Sequence, residues 1–325
     1  MRIFRKKLFD CLRFIGLHRI LVNKDVYAIC LHRVSDDFAP GYPPMKTEMF
    51  SKLMEYINQN FEVISLSEIN NLTPKPSRRK KLFITFDDGY LDFKTNALPI
   101  INKYNFPVTV NLITDVLKNG DAHWTQKLSS IVENTEQKEI LKYLKKEYDL
   151  EIRNSHSTEK ITLEIFHNWK QFSIDEIESR IKLLMTSFQI EKSVFIPMMK
   201  WNDVKEISSN FKNVSWGSHT QTHLNLGDCK NEKTLINEIV ISKQLLENEL
   251  KTSINTFAFP NGDYTLEGLK IAQEHYDNIL LTEEHNTKFK GMGKEKIYFR
   301  DQLYYNSVSE NIMKIYGLHR FLKRM

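Results

Sequence analysis

The sequence predicts an α/β protein built on a parallel sheet or barrel. Three observations lead there. Short runs of β-branched and aromatic residues alternate with stretches of helical periodicity, the pattern of βα units. Two clusters of acidic or imidazole side chains each follow such a run directly, as expected when chemistry gathers at the carboxyl ends of parallel strands. At 325 residues the chain is long enough for one large barrel or for two domains.

Taken in order, the strand candidates are 26–31, 61–66, 82–86, 108–113, 214–216, 256–259 and 278–281, each a short β-branched or aromatic run. Helical periodicity covers 47–58, 92–104 around Pro99, 232–250 and 266–275. Residues 115–192 break the rhythm. They read as charged amphipathic helices, among them 124–132, 136–148 and 174–188, with no strand of similar quality. A helical insertion between barrel strands is expected there. Its place after a strand makes it a lid or substrate-selecting wall, or else an elaboration remote from the substrate.

Charge is unevenly placed. Residues 1–24 carry seven Lys or Arg against one Asp, about +6, whereas the whole chain is +5. Phe4, Leu8, Leu12 and Ile15 fall at helical spacing among these cations. The segment therefore reads as a short interfacial helix able to sit on anionic lipid, or as an amphipathic helix packed on its own domain. The basic, apolar stretch 312–325 repeats the mixture. Neither a secretory signal nor a membrane span fits the first residues, because Asp10, Arg13, His18 and Arg19 break the apolar run. A cytoplasmic or membrane-peripheral protein is expected, with residues 25–325 as the folded domain. Three cysteines without a CxxC pair imply neither a disulfide framework nor a thiolate metal site. No nucleic-acid-binding motif is recognisable, and the basic excess is confined to a terminus.

The chemistry concentrates at FITFDDGYLDF, residues 83–93. Asp87 and Asp88 are adjacent carboxylates at the end of an apolar run, and their repulsion costs stability unless a cation or another partner compensates it. Far downstream a second apolar run ends in SHTQTH, where His219 and His223 stand at i and i+4. On a helical turn or a tight loop that spacing aims both imidazoles the same way. Asp88, His219 and His223 make an N,N,O set, the three-ligand arrangement of catalytic zinc sites that leaves a position for water. Asp87 is then free to take a proton.

TFDDG, then HTQTH, then FAFPNGDY at 257–264 resembles, in that order, the NodB-type polysaccharide deacetylases of carbohydrate esterase family 4. The resemblance covers roughly residues 27–305, interrupted by the insertion. It implies a distorted (β/α)7 TIM-like barrel, one divalent ion (Zn2+ first, with Co2+, Ni2+ or Mn2+ as substitutes), and hydrolysis of an N-acetyl group on an amino sugar in a polysaccharide or lipid-linked glycan. Asp87 takes the role of general base; Asp88, His219 and His223 take the metal. Two departures stand out. Many members carry an Arg two residues before the Pro, paired with the catalytic Asp, and here that position is Ala258. Arg300 is the substitute guanidinium expected, tied to Asp203. The late His of many members is missing too. His32, ending AICLH, resembles the early His of a circularly rearranged subset that includes biofilm poly-N-acetylglucosamine deacetylases, and is expected to protonate the leaving amine. Asn261, with Pro260 and Gly262, resembles the loop whose backbone amide faces the oxyanion. Tyr90 and Trp201 are further candidates for substrate contact, whereas Trp216 reads as core. Deformylation of a formamido sugar, hydrolysis of a small amide, and a carbohydrate-binding pseudoenzyme are the alternatives.

Overall fold

The computed structural model describes residues 9, 10, 12, 13, 16, 26–37, 43–69, 79–152, 157–282 and 296–318. Its centre is a closed ring of seven parallel strands with helices around it. The strands are β1 (Val26–Leu31), β3 (Lys80–Phe86), β4 (Val108–Leu112), β5 (Val214–Ser218), β6 (Thr256–Ala258), β7 (Asn278–Thr282) and β8 (Ile297–Gln302), while β2 (Phe61–Val63) pairs with β3 outside the ring. Closure comes from β1, which pairs with β3 on one side and β8 on the other.

The expected set of strands is corrected at two places. The run at 61–66 is the short outer strand β2. The seventh ring strand is β8, whose sequence IYFRDQ ends in charged residues and so hides its strand character. Those charges are buried: Arg300 and Asp301 are 1% and 2% exposed.

Alternation along the strands sorts side chains between the barrel interior and its outer layer. Ala28, Phe83, Ala258 and Leu280 form an apolar cluster of their own, separate from the main core between strands and helices. Two residues beyond Ala28, Phe83 and Leu280, and beyond Tyr298 of β8, which packs on this cluster, stand Cys30, Thr85, Thr282 and Arg300. The interior is therefore apolar low down and polar at the carboxyl end, where the site lies.

Helix Thr47–Asn60 turns Phe50, Leu53, Met54 and Ile57 inward at the spacing of one helical face. Helix Leu266–His275 is capped by Thr265. The helical stretch at 232–250 contains one π-turn, Asn237–Ile241, and Phe93–Ala97 is another before the helix Leu98–Lys103 with Pro99 in its first turn.

Between β4 and β5 lie four long helices before the helix Trp201–Asn210: Trp124–Glu133, Gln137–Tyr148, Thr158–Trp169 and Ile174–Phe188. The third was not distinguished in the sequence. The last is fixed by a capping box of Ser173 and Glu176. Of the basic segment 1–24, only Phe9, Asp10, Leu12, Arg13 and Gly16 are among the described residues, so the expected interfacial helix falls outside them, as does the tail beyond 318. Asp10 and Arg13 both meet Ser309 at the start of the helix Val308–Ile315. No helix of the described residues is long and apolar enough to cross a membrane.

Candidate active site

The DDG turn leaves the top of β3. Asp87 N–H donates to Leu31 O at 2.9 Å, which ties the turn to β1. Asp88 (φ 76°) and Gly89 (φ 88°) are both left-handed, a conformation that Asp tolerates and Gly adopts freely. A Cβ on Gly89 would also sit 2.9 Å from Leu112 Cδ2. The turn presents Asp88 Oδ1 to His219 Nε2 at 3.3 Å and His223 Nε2 at 3.4 Å, with all three side chains buried. One ligand atom from each lies within 4.8 Å of the others.

HTQTH is a tight loop rather than a helical turn. Thr220 (φ 71°) and His223 (φ 63°) are left-handed, a conformation that costs about 1–3 kcal/mol per residue unless its surroundings enforce it. Here they do. His223 N–H donates to Thr220 Oγ1 at 3.0 Å, and His223 O accepts from the Trp124 indole at 3.0 Å. The buried Glu238 carboxylate, in the π-turn, accepts from Gln221 N (3.0 Å), Thr222 N (2.9 Å) and Thr222 Oγ1 (2.6 Å). Burial raises the Glu238 pKa, and these three donors oppose the rise.

The donor set fits a divalent cation. His219 Nδ1 lies 2.8 Å from Ala258 O; a carbonyl only accepts, so Nδ1 carries the proton and neutral His219 aims the Nε2 lone pair at Asp88. Among the described residues that carboxylate oxygen has no hydrogen-bond partner. Lone pairs from two imidazoles and a carboxylate converge on one point, which a cation satisfies, and the carbonyl behind His219 is the outer partner that metal-bound imidazoles commonly have. Without a metal the same point is satisfied by protons: Asp88, which burial alone would raise, is held well below its ordinary range by the two histidines, and His219, which burial would lower, is raised by Asp87 and Asp88.

Asp87 is held by four donors from three residues. Arg300 clamps it through Nη1–Oδ1 and Nη2–Oδ2, each 2.8 Å, Asn111 Nδ2 donates to Oδ1 at 2.6 Å, and the Cys30 thiol lies 3.2 Å from Oδ2. Burial would raise its pKa; the Arg300 charge overrides that and holds the carboxyl far below its usual range. Arg300 thus takes the place left by Ala258, from β8 rather than β6. The expected tie to Asp203 is not formed, because Asp203 bonds Lys94 Nζ and Lys200 N, each at 2.8 Å. Cys30 and Asn111 escaped the sequence reading. The signal for Asn111 was an amide inside the apolar run VTVNL, and for Cys30 its place two residues before His32, on the same strand face. Cys30, His32 and Asp87 form a second compact group, but a cation there would face the guanidinium, so the Asp88 group is the better metal site.

Gly217 pairs with Asn111 across β4 and β5, and a methyl at 217 would overlap Asn111 Oδ1. Gly217→Ala is expected to lose about 1–3 kcal/mol through overpacking, with turnover falling as Asn111 is pushed off Asp87. Thermal melts and steady-state rates check both.

A cavity of about 380 Å³ opens on this cluster. His32, Tyr90, Asn261 and Gly262 line it, together with Phe259, Thr282 and Gln302. Pro260 is buried in the turn beneath, without lining the cavity. Trp201 does not reach it: half-buried in the first turn of its helix, it packs on the core. Trp216 is buried, its indole donating to Ser208 Oγ at 2.7 Å. The opposite wall is the insertion, through Thr125, Gln126, Leu128 and Ser129 of one helix and Glu159, Thr162, Leu163 and Phe166 of another. Also unforeseen is His123, buried, with Nε2 2.9 Å from Tyr90 Oη and its ring 4.6 Å from that of His223. Burial, then the His223 charge, lower its pKa to about 3.

Comparisons with known proteins agree with this architecture. The family profile described as polysaccharide deacetylase matches residues 74–171 and 179–276, more than half of the chain. Among solved structures, IcaB from Ammonifex degensii superposes with a TM-score of 0.57 at 14% identity, covering 91% of this chain and 98% of its own. A polysaccharide deacetylase from Bacillus cereus gives 0.55 at 14% identity, covering 90% and 69%. The Streptococcus pyogenes deacetylase PplD, solved with acetate, gives 0.54 at 15% identity, covering 89% and 97%. At these identities the likeness is one of fold. No curated protein sequence matches the chain.

Proposed function

Because the chain belongs to the polysaccharide deacetylase family, hydrolases that cleave amide bonds on amino sugars, we propose that it removes an N-acetyl group from an amino sugar of a glycan or lipid-linked glycan in a divalent-metal-dependent reaction. The observation that carries this reading is the convergence of His219 Nε2 and His223 Nε2 on the unpartnered Asp88 Oδ1, beside an Asp87 clamped by Arg300. Asp88, His219 and His223 would hold the ion, zinc first, which supplies an acidified water and polarises the acyl carbonyl.

The residues around it divide the proton work. Asp87 takes the proton of the attacking water, a transfer worth about 10²–10⁴ in rate when the base is positioned. As the C–N bond breaks, His32 delivers a proton to the leaving amine, so acetate and a free amine result. Burial lowers the His32 pKa, and the Asp88 and Asp87 carboxylates beside it oppose that by favouring the imidazolium. The Asn261 amide faces the growing oxyanion. The Arg300 clamp supplies the guanidinium that Ala258 leaves out, which favours turnover over a carbohydrate-binding pseudoenzyme.

Four donors fill the four lone-pair sites of the Asp87 carboxylate, so one must yield before the proton arrives. The Cys30 thiol is the weakest of them, and burial keeps it protonated by raising its pKa well above the ordinary value. Cys30→Ala is therefore expected to turn over at least as fast as the parent, as measured by steady-state rates. A severalfold fall would show that the thiol assists the base.

The glycan side of the cleft is apolar at Leu128, Leu163, Phe166 and Phe259, which together with the basic residues 1–24 favours a substrate presented at a membrane surface. The test is acetate release by zinc-loaded protein from soluble N-acetylated oligosaccharides and from lipid-linked amino sugars, beside formate release from formylated lipid sugars. Acetate release abolished by a chelator and restored by zinc is the expected result. Formate alone would replace the deacetylase by a deformylase, and no release from any of them would sink both.

A further inference from the structure

The insertion grips both metal-binding turns at its roots. Where the chain enters it, Thr114 N–H donates to Thr220 O at 3.2 Å and Asp115 N–H to Gln221 O at 2.9 Å, inside the stretch between His219 and His223. Where the chain leaves it, Met199 N–H donates to Gly89 O at 2.9 Å, and Pro197 O accepts from Leu91 N–H at 3.0 Å, on either side of Tyr90. Between these roots His123 spans the two turns, its Nε2 on the Tyr90 hydroxyl and its ring against that of His223. Next to it, fully buried Trp124 gives its indole N–H to the His223 carbonyl. The same indole stacks on Phe166, with ring centroids 5.4 Å apart and planes 5° from parallel.

We propose that Trp124 is a positioning residue for the ligand His223, so that the insertion sets the metal geometry as well as walling the cleft. This rests on the metal reading above. His223 is left-handed, and both of its backbone polar groups are pinned, the N–H by Thr220 Oγ1 and the carbonyl by Trp124. Removing the indole donor unpins one end of a strained residue. The residue then relaxes toward ordinary φ, and its imidazole swings away from Asp88. An element that only covered the substrate would have no reason to hold a ligand's carbonyl.

Trp124→Phe keeps an aromatic ring to stack on Phe166 and loses the N–H. Trp169→Phe is the control: it removes a buried indole from the same insertion, where Trp169 packs on Tyr148 and Arg180 away from the metal turns. Zinc affinity is measured by competition with a chelating dye, and metal geometry by the visible absorption of the Co2+-loaded protein. The expected result is an affinity loss of about 10–100-fold for Trp124→Phe, the range seen when an outer partner of a metal ligand is removed, with a changed Co2+ spectrum, while Trp169→Phe binds like the parent. Parental affinity and spectrum in Trp124→Phe would overturn the inference, as would equal weakening in both variants. A parent protein that binds neither ion would overturn the metal centre itself, and this inference with it.

Discussion

Asp87→Asn is expected to turn over at least about 10²-fold more slowly, to bind its divalent ion as the parent does, and to fold less stably. The rate falls because an amide cannot accept the water's proton. Metal binding is expected to survive because the proposed ligand atoms belong to Asp88, His219 and His223, which lie together within reach of one ion. The stability loss follows from Arg300, 1% exposed and clamped to both Asp87 oxygens. With a neutral partner its charge is buried without compensation, a state that costs about 3–5 kcal/mol. The double variant Asp87→Asn/Arg300→Met removes that charge too and is expected to regain much of the stability while staying inactive. Melting curves, zinc titration and single-turnover rates separate the three effects. Full activity in Asp87→Asn would remove the general base from the mechanism.

His219→Ala should lose both metal and turnover. It deletes a ligand and also its anchor on Ala258 O, so the affinity loss should exceed the roughly 10–100-fold that removal of an outer partner costs. Thermal shift reads this directly. A ligand at 100 times its dissociation constant stabilises a fold by about 2.7 kcal/mol, and that increment should vanish in the variant at the zinc concentration that protects the parent. Zinc protection of His219→Ala equal to the parent's would place the ion elsewhere.

What could be read from the sequence was local. Asp87, Asp88, His219 and His223 stand in short motifs behind apolar runs, and the period of those runs gave the α/β class. What escaped was contact between distant residues. The resemblance offered Arg300 as a guanidinium for Asp87, 213 positions away, and the structure forms that pair, but the tie to Asp203 offered with it is not made, because Asp203 bonds Lys94 and Lys200 instead. β8 was missed too. Its charged end looks exposed until the barrel interior supplies Thr85 and Asp87 as partners. Nothing in the sequence decides which way Trp124, at the opening of the insertion, faces, and its bond to the His223 carbonyl follows from how the insertion folds back. The HTQTH spacing was compatible with a helix or a loop, and the left-handed Thr220 and His223 decide for the loop.

The ring closes between β1 and β8, and β8 brings Arg300 to Asp87. A nascent chain that has emerged only as far as β7 therefore holds the aspartates and both histidines but lacks the counter-ion that makes burying Asp87 tolerable. Compensation of Asp87 and barrel closure arrive together, through a pairing between the first and last strands of the ring that is slow to form because so much polypeptide separates them.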